Sequence, residues 1–336
     1  MIARLLISLL CLCLQVGAQP AAAQDSPSLR ERLAQRRAAN EAPATAALPA
    51  GTHTLQVTHQ GQKRAVVVHV PVRSNPTQAA PLVLALHGGG GFAEYMTNGD
   101  RYGLIAKSDN AGFVVAFPNG YSKLPVGKFA TWNAGGCCGD ARDRQVDDVG
   151  FLRAVVAQLG ARLKLDPARI YAIGMSNGGM MAHRLACDAA DVFAAVASVA
   201  GTEAVGTCQP VRPIPVLHIH AKNDTHVLFN GGAGKDAFRD DSKVMDFVSV
   251  PETIARWVQR NRCQPAPRRV LEKPGAYCEV YSDCASKASV QLCVVQEGGH
   301  SWPGTQAQRR GKEPPTQALV ANDVIWDFFQ VQAERR

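Results

Sequence analysis

Charged and aromatic residues are scarce in this sequence: they make up 19% and 6% of its 336 residues, whereas 46% are hydrophobic. A disordered chain has the opposite balance, so the composition excludes one, and it equally excludes collagen-like and coiled-coil chains. No internal repeat is visible. The sequence therefore predicts a packed globular core, with one large α/β domain left after removal of an N-terminal leader.

Long apolar runs are missing beyond the N-terminus, where Leu5–Val16 precedes the small residues Ala21-Ala22-Ala23. This pattern is typical of a secretory signal peptide, here residues 1–23, and the run is too short for an ordinary membrane span. Cys11 and Cys13 suggest a lipoprotein leader as an alternative, but each follows leucine where a small residue is expected. We therefore expect a secreted or periplasmic protein with no stable membrane anchor.

Basic residues are not clustered, although the formal net charge is +8 and falls by one when the leader, with its single charged residue Arg4, is removed. Nucleic-acid binding needs a concentrated positive surface, so no nucleic-acid partner is predicted. A phosphate-binding Gly-Lys-Ser/Thr sequence is also missing, because Gly234-Lys235 is followed by Asp236. The sequence therefore does not predict a nucleotide-binding loop.

Eight cysteines remain after the leader, and none forms a C-x₂-C pair, so a zinc site is not predicted. An even number of cysteines in an exported chain indicates disulfides. Cys278 and Cys293 lie on two predicted strands of one hairpin, which would bring them close together. Cys263 with Cys284 is then a reasonable second pair, although eight cysteines allow about 105 pairings in all.

The order of the predicted elements indicates an α/β architecture. Residues 24–50 are rich in alanine and proline and predict a poorly ordered lead-in, so the folded domain is expected over residues 51–336. It opens with the alternating segments Thr54–His59 and Ala65–Val70, which are typical of a hairpin. Short apolar runs separated by helix-like stretches, such as Asp148–Leu165, then predict a mostly parallel sheet covered by helices on both faces. These runs are Leu82–Leu86, Phe113–Phe117, Ile170–Ile173, Ala194–Val199 and Pro215–Ile219.

A candidate nucleophile lies in Gly174-Met175-Ser176-Asn177-Gly178, between a predicted strand and a predicted helix. A sharp strand-to-helix turn strains the central residue, and the flanking glycines let neighbouring elements approach. The turn would expose the hydroxyl of Ser176 and point the amide of Asn177 at a developing oxyanion. The alternative is a serine that only caps a buried helix, but the strand before and the helix after favour the nucleophile.

A glycine-rich turn, His87-Gly88-Gly89-Gly90-Gly91, follows the first of the apolar runs. Four glycines allow backbone amides to face a substrate carbonyl without side chains in the way. The amide of Gly89 or Gly90 is therefore expected to complete an oxyanion hole with Asn177.

A serine hydroxyl is a poor nucleophile, so a base must take its proton and a carboxylate must orient that base. After a serine in a strand-to-helix turn of this kind, the chain order is serine, acid, histidine. Among nine histidines only His226 and His300 lie beyond a plausible acid. That acid is Asp224, which follows a predicted strand at its carboxyl end. His226 is too close to Asp224 to reach Ser176 independently, so His300 is the candidate base. The other candidates for the carboxylate are Asp236, Asp240 and Asp241.

Two further histidines and three aromatic residues have less specific signals. His218 and His220 share one face of a strand, but without nearby carboxylate or thiolate ligands core packing is favoured over a metal, and no metal site is predicted. Three aromatic side chains are candidates for lining the acyl or alcohol pocket, with plain core packing as the alternative. They are Trp132, Phe229 and Trp302.

Five motifs, taken together and in order, resemble the poly(3-hydroxybutyrate) depolymerase-type esterases, a group that includes secreted feruloyl and acetylxylan esterases. The resemblance covers about residues 50–330. Its motifs are Leu86-His87-Gly88-Gly89-Gly90, Trp132-Asn133-Ala134-Gly135-Gly136-Cys137-Cys138-Gly139, Val146-Asp147-Asp148-Val149-Gly150-Phe151, Gly174-Met175-Ser176-Asn177-Gly178-Gly179 and Gly299-His300-Ser301-Trp302-Pro303-Gly304.

This resemblance implies an α/β-hydrolase fold, no cofactor, and hydrolysis of carboxylic esters through Ser176, Asp224 and His300. The chain departs from the family at Ala221-Lys222-Asn223-Asp224, where a Gly-Thr-Ala-Asp-like turn is usual. No segment resembles the separate substrate-binding domain of dedicated polymer depolymerases. We therefore expect a soluble or oligomeric hydroxyalkanoate or aromatic ester as substrate. The alternatives are an acetylxylan esterase, a secreted peptidase or acyltransferase, and an inactive binding protein on the same scaffold.

Overall fold

The computed structural model describes residues 46–72, 78–237, 245–308 and 313–334. The predicted signal peptide and most of the predicted lead-in lie outside these residues. The described strands are β1 Gly51–His59, β2 Gln62–Val70, β3 Ala80–Leu86, β4 Val114–Pro118, β5 Leu165–Met175, β6 Ala195–Val199, β7 Val216–Ala221, β8 Arg268–Lys273, β9 Ala276–Tyr281 and β10 Val290–Val295. The described helices are α1 Ala93–Met96, α2 Gly99–Tyr102, α3 Leu104–Ala111, α4 Gly139–Asp143, α5 Asp148–Gly160, α6 Asn177–Asp188, α7 Val250–Arg260 and α8 Ala321–Glu334.

These strands form a single sheet in the order β1-β2-β4-β3-β5-β6-β7-β10-β9-β8. The six strands from β4 to β10 in this order are parallel, and the pairs at either end are antiparallel. Helices α5, α6 and α7 cover one face, while α3 and α8 cover the other. The predicted parallel α/β sheet is thus confirmed, and the carboxyl ends of its strands lie at one edge.

The N-terminal hairpin formed by β1 and β2 is confirmed and is longer than the alternation of the sequence indicates. Gln60 and Gly61 form its two-residue turn with φ values of 47° and 75°. Positive φ at both positions is the geometry of the tight turn that matches the twist of antiparallel strands. The pairing then runs without interruption from Gly51 opposite Val70 to His59 opposite Gln62.

Two elements differ from the sequence-based expectation. The helix predicted to extend from Asp148 to Leu165 ends at Gly160, and Leu165 already begins β5. Glycine at a helix end has little helical preference, so the apolar residues beyond it join the sheet instead. Strand β8 was not predicted, because its charged, largely exposed sequence lacks an apolar face, and it is held by pairing with β9.

Cysteine pairs lie next to the sheet and beside the helices that cover it. Cys278 on β9 stands directly opposite Cys293 on β10, and the two are in a position compatible with a disulfide, as are Cys263 and Cys284. A further compatible pair is Cys187 with Cys208. No helix among the described residues has both the length and the apolar character that a membrane span requires.

Candidate active site

Ser176 occupies the turn between β5 and α6 with φ 56° and ψ −122°. A non-glycine residue in this conformation is strained, and such strain persists only where the surrounding structure fixes it. A Cβ at Gly174 would overlap the backbone of Gly178, and a Cβ at Gly178 would overlap the carbonyl of Leu86. The turn therefore has the geometry of a nucleophile elbow, with glycine required on both sides of the serine.

Replacing Gly178 by alanine should disturb this elbow, because the new methyl group would overlap the Leu86 carbonyl and crowd that of His87. Overpacking of this kind costs about 1–3 kcal/mol, so we expect a lower free energy of unfolding and reduced turnover. Urea denaturation and ester hydrolysis measure both. The matched control is Gly160→Ala, at the exposed end of α5 with no atom within 4 Å of the added Cβ, which should be neutral or slightly stabilising. Equal behaviour of the two variants would contradict the assignment.

The first turn of α6 is fixed by Asn177. Its Oδ1 accepts a hydrogen bond from the amide of Trp132 at 2.7 Å, and its Nδ2 donates to the Trp132 carbonyl at 3.0 Å. The backbone of Gly89 lies beside this residue, since a Cβ on Gly89 would stand 3.7 Å from Cβ of Asn177. The amides of Asn177 and Gly89 are therefore the candidate donors of an oxyanion hole.

Gly90 does not fit the role that the sequence suggested for it. Its amide donates to the carbonyl of Ala130 at 2.8 Å, which ties the glycine-rich turn to the neighbouring segment. A backbone amide with this partner cannot also point at a substrate oxygen. Of the two glycines predicted for the hole, only Gly89 remains.

The buried ring of His87 shapes the same turn. Its Nδ1 donates to the carbonyl of Gly88 at 2.8 Å, and its Nε2 accepts the amide of Gly120 at 3.0 Å. Burial lowers the pKa of His87 to about 4, so the ring is neutral at physiological pH and both contacts persist. The indole of Trp132 donates to the His87 carbonyl at 2.9 Å and supports the turn from the core.

His300 and Asp224 form the candidate acid–base pair. Nδ1 of His300 lies 2.8 Å from Oδ2 of Asp224, while Oδ1 of Asp224 accepts the amides of His226 at 2.8 Å and Val227 at 3.0 Å. Burial alone would raise the pKa of Asp224, but the charge of His300 and hydrogen bonds from His220 and His300 outweigh it and hold that pKa well below its ordinary value. Asp224 is therefore an anion that fixes the orientation of the imidazole.

Of the alternative carboxylates, only Asp236 lies among the described residues. Oδ2 of Asp236 accepts a hydrogen bond from the hydroxyl of Thr225 at 2.7 Å, and Asp240 and Asp241 lie outside the described residues. The ring of His226 stacks on that of His300, with centroids 4.3 Å apart. His226 thus packs beside the candidate base.

Among the described residues, one group has ligand atoms close enough together to hold a metal ion. These atoms belong to Asp224, His226 and His300 and lie within 4.8 Å of one another. The two carboxylate oxygens of Asp224 already accept the amides of His226 and Val227 and face His300. This is the hydrogen bonding of a carboxylate that orients an imidazole, rather than of a carboxylate held open for a cation. No residue is assigned as a metal ligand.

Ser176, Asn177, Gly89 and His300 all line one pocket of about 890 Å³. Trp302 lines it too, with its indole nitrogen donating to Asn322 at 2.9 Å. The other two aromatic candidates are not part of this lining. Trp132 is fully buried beneath the glycine-rich turn, and Phe229 meets the ring of His220 edge-on.

The pocket has an aromatic wall that sequence reasoning missed. Tyr95, Tyr102 and Phe129 line it together with Trp302, and the Tyr102 and Trp302 rings meet edge-on with centroids 5.6 Å apart. These residues come from short helices and a loop without any periodic pattern. For Tyr95 and Tyr102 the only signal available was their position shortly after the glycine-rich turn, at the carboxyl edge of the predicted sheet.

Comparison with known proteins places the chain in a family. The family model described as esterase PHB depolymerase matches residues 67–236, which is half of the chain. The chain belongs to the esterase PHB depolymerase family. The protein is therefore an esterase, a hydrolase of carboxylic esters. The family match confirms the resemblance that the five sequence motifs indicate.

Two curated proteins are similar to this esterase in sequence. Feruloyl esterase B of Piromyces equi is 35% identical over 243 residues, which cover 71% of this chain and 42% of that protein. The match therefore spans less than half of the Piromyces equi protein. A candidate esterase, NocK, of Nocardia uniformis subsp. tsuyamanensis is 34% identical over 273 residues, covering 76% of this chain and 75% of the relative.

The solved structure of an acetyl xylan esterase from Aspergillus awamori is similar in fold. It aligns with a TM-score of 0.54 at 15% identity and covers 83% of this esterase and 99% of that chain. At this identity the likeness concerns the fold alone. The α/β-hydrolase fold expected from the sequence is confirmed.

Proposed function

We propose that this protein is an exported serine esterase in which Ser176 is the nucleophile, His300 the general base and Asp224 the orienting acid. The observation that carries the proposal is that Ser176 and His300 line one pocket, with Asp224 bonded to His300. Ser176 stands in a strained elbow, and His300 faces the same cavity while bonded at 2.8 Å to a buried carboxylate. A strained serine beside an oriented imidazole is the constellation of acyl transfer.

The acylation step follows from these positions. Asp224 accepts a hydrogen bond from the protonated Nδ1 of His300. Nε2 of the neutral ring is then unprotonated and can take the proton of the Ser176 hydroxyl. The serine oxygen attacks the ester carbonyl, and the amides of Asn177 and Gly89 stabilise the negative oxygen that forms. His300 then gives its proton to the departing alkoxide, so an alcohol leaves and an acyl-enzyme remains.

Deacylation repeats the same proton transfers with water in place of serine. His300 takes a proton from water, the hydroxide attacks the acyl carbonyl, and the serine oxygen leaves with the proton held by His300. The products are a carboxylic acid and the regenerated hydroxyl of Ser176. No other chemical group is needed to balance the reaction.

The pocket supports an aromatic or oligomeric ester as the substrate. A volume of about 890 Å³ is far larger than an acetyl group requires and lies in the range typical of drug-sized ligands. Its aromatic wall offers flat apolar surface to a phenyl ring or to a chain of hydroxyalkanoate units. The name of the Piromyces equi relative, feruloyl esterase, supports an aromatic acyl group.

Export is part of the proposal. The leader-like residues 1–23 and the disulfide-compatible pairs, among them Cys278 with Cys293 and Cys263 with Cys284, both suit an oxidising compartment. We propose that these two pairs are disulfides in the mature protein.

An ester panel tests the substrate assignment. We expect kcat/KM to be higher for methyl ferulate or soluble hydroxybutyrate oligomers than for acetylated xylan by at least about tenfold, since each lost apolar contact of about 1.4 kcal/mol is a factor of ten. Matched anilides and added alcohols are included as controls for peptidase and acyltransferase activity. Preference for acetylated xylan, or for amides over esters, would contradict the assignment.

A further inference from the structure

Three buried histidines form a continuous column behind the Asp224 carboxylate. His183 comes from α6, while His218 and His220 come from β7, and all three are almost completely shielded from solvent. Their rings stack in sequence, with centroids 5.5 Å apart between His183 and His218 and 5.2 Å apart between His218 and His220. We call these three residues the histidine relay. The mechanism described above assigns it no role.

Hydrogen bonds connect the relay from one end to the other. The indole nitrogen of Trp257 lies 3.0 Å from Nδ1 of His183. Nε2 of His183 lies 3.3 Å from Nδ1 of His218, and Nε2 of His218 lies 3.0 Å from Nδ1 of His220. In each ring, Nδ1 faces the Trp257 end of the relay and Nε2 faces the Asp224 end.

At its far end the relay meets the turn that holds Asp224. Nε2 of His220 lies 2.8 Å from the carbonyl of Val227 and 3.4 Å from Oδ2 of Asp224. The amide of the same Val227 donates to Oδ1 of Asp224. His220 therefore holds both the carboxylate and the peptide that supports its other oxygen.

The chemistry of the two ends fixes the direction of every hydrogen bond in the relay. An indole nitrogen only donates, so Nδ1 of His183 must accept and its proton must lie on Nε2. The same logic passes to His218 and then to His220. A carbonyl and a carboxylate only accept, which suits an Nε2 proton on the last ring. A relay with the opposite tautomers would set two donors against each other at Trp257.

The first two rings of the relay carry no charge at physiological pH. Burial lowers the pKa of His183 to about 3, and the nearby charge of Arg260 acts in the same direction, against a smaller opposing effect of the Gly201 carbonyl. Burial, followed by the neighbouring histidines, lowers the pKa of His218 well below its ordinary value. A chain of neutral donors aligned in one direction polarises cooperatively, which strengthens the hydrogen bond at its end.

We propose that the histidine relay is a positioning device for the catalytic acid: it delivers a hydrogen bond from the core to the Val227 carbonyl, and this bond, together with the contact of the same Nε2 with the carboxylate, holds Asp224 in line with Nδ1 of His300. The proposal rests on the proposed function, in which Asp224 is that acid. His220 contacts the carboxylate, whereas His218 and His183 act through His220. None of the relay histidines faces the substrate.

Replacement of His218 tests the relay, because His218 does not contact Asp224 and can affect it only through His220. His218→Leu removes both an acceptor and a donor, so we expect kcat to fall by about tenfold or more, in the range usual for outer partners of a catalytic group, while KM stays nearly constant. His218→Gln offers one acceptor and one donor and should recover most of the loss. The control is His69→Leu, a buried histidine bonded to Thr52 and Asp109, which should leave kcat unchanged.

The tautomers give a second readout that does not depend on activity or on any variant. In ¹⁵N-labelled wild-type protein near pH 7, imidazole NMR should show His183 and His218 neutral, and should show a proton on Nε2 in all three rings of the relay. An Nδ1 proton on His183 or His218 would overturn the proposal, as would equal kcat values for His218→Leu and wild type. Failure of the proposed function alone would give a different result. The Asp224→Asn variant would then remain active, while the three histidines of wild type would keep their Nε2 protons.

Discussion

Replacement of Ser176 by alanine is expected to lower kcat on a p-nitrophenyl ester by about 10⁴- to 10⁶-fold while the fold is retained. The hydroxyl is the only group of this residue that can form the acyl-enzyme. Alanine also relieves none of the surrounding constraints, because the elbow is set by Gly174, Gly178 and the β5–α6 junction. The effect is measured by comparing the initial rates and the thermal unfolding of Ser176→Ala with those of wild type.

Ser301 supplies the matched control for that experiment. It follows His300, lines the same pocket, and its hydroxyl donates to the carbonyl of Gly298 at 2.6 Å. Ser301→Ala should change kcat by less than about tenfold, since surface and loop hydrogen bonds are worth about 1 kcal/mol. Full turnover by Ser176→Ala, or a collapse of both variants alike, would rule out Ser176 as the nucleophile.

The second large effect is expected at Asp224. Asp224→Asn replaces an acceptor-only oxygen by an amide that can donate to Nδ1 of His300, which then stabilises the wrong imidazole tautomer. With the proton on Nε2, the ring can no longer accept the serine proton, and kcat should fall by about 10⁴-fold. The measurement is the rate of ester hydrolysis from pH 5 to 9.

Asp236→Asn decides between the carboxylates that the sequence left open. Asp236 also lines the pocket, but its carboxylate accepts from the hydroxyl of Thr225 rather than from His300. Its variant should therefore keep kcat within about tenfold of wild type, because the asparagine retains an oxygen that can accept from the Thr225 hydroxyl. A large loss for Asp236→Asn with a small loss for Asp224→Asn would reverse the assignment of the acid.

The parts of the site that the sequence predicts best are those set by local geometry. Ser176 and Asn177 lie in a motif whose strand, turn and helix are contiguous in the chain, so the spacing alone carries the steric argument. Asp224 and His300 are separated by 76 residues, yet fold-level chain order and position at strand ends are enough to select them.

Features that depend on contacts between distant segments were not accessible in this way. The choice between Gly89 and Gly90 rests on a hydrogen bond from Gly90 to Ala130, which no local pattern reveals. Residue type alone suggests Trp132 and Phe229 for the pocket, but Trp132 is buried beneath the glycine-rich turn and Phe229 lies outside the pocket lining.

The histidine relay illustrates the same limit. The sequence places His218 and His220 on one face of a strand, but His183 lies 35 residues away from His218, on a helix that meets them only in the folded protein. Its position on α6 looks like one more core residue in the sequence. The relay exists only through tertiary packing, and so does its connection to Asp224 through β7.

Covalent labelling by a fluorophosphonate tests the central claim most directly. The reagent reacts with a serine oxygen only where a base removes its proton and amides stabilise the resulting oxyanion. Intact mass should show one adduct per chain, peptide mapping should place it on Ser176, and His300→Ala should abolish it. Unlabelled wild-type protein that still hydrolyses esters, or an adduct on another residue, would contradict the account.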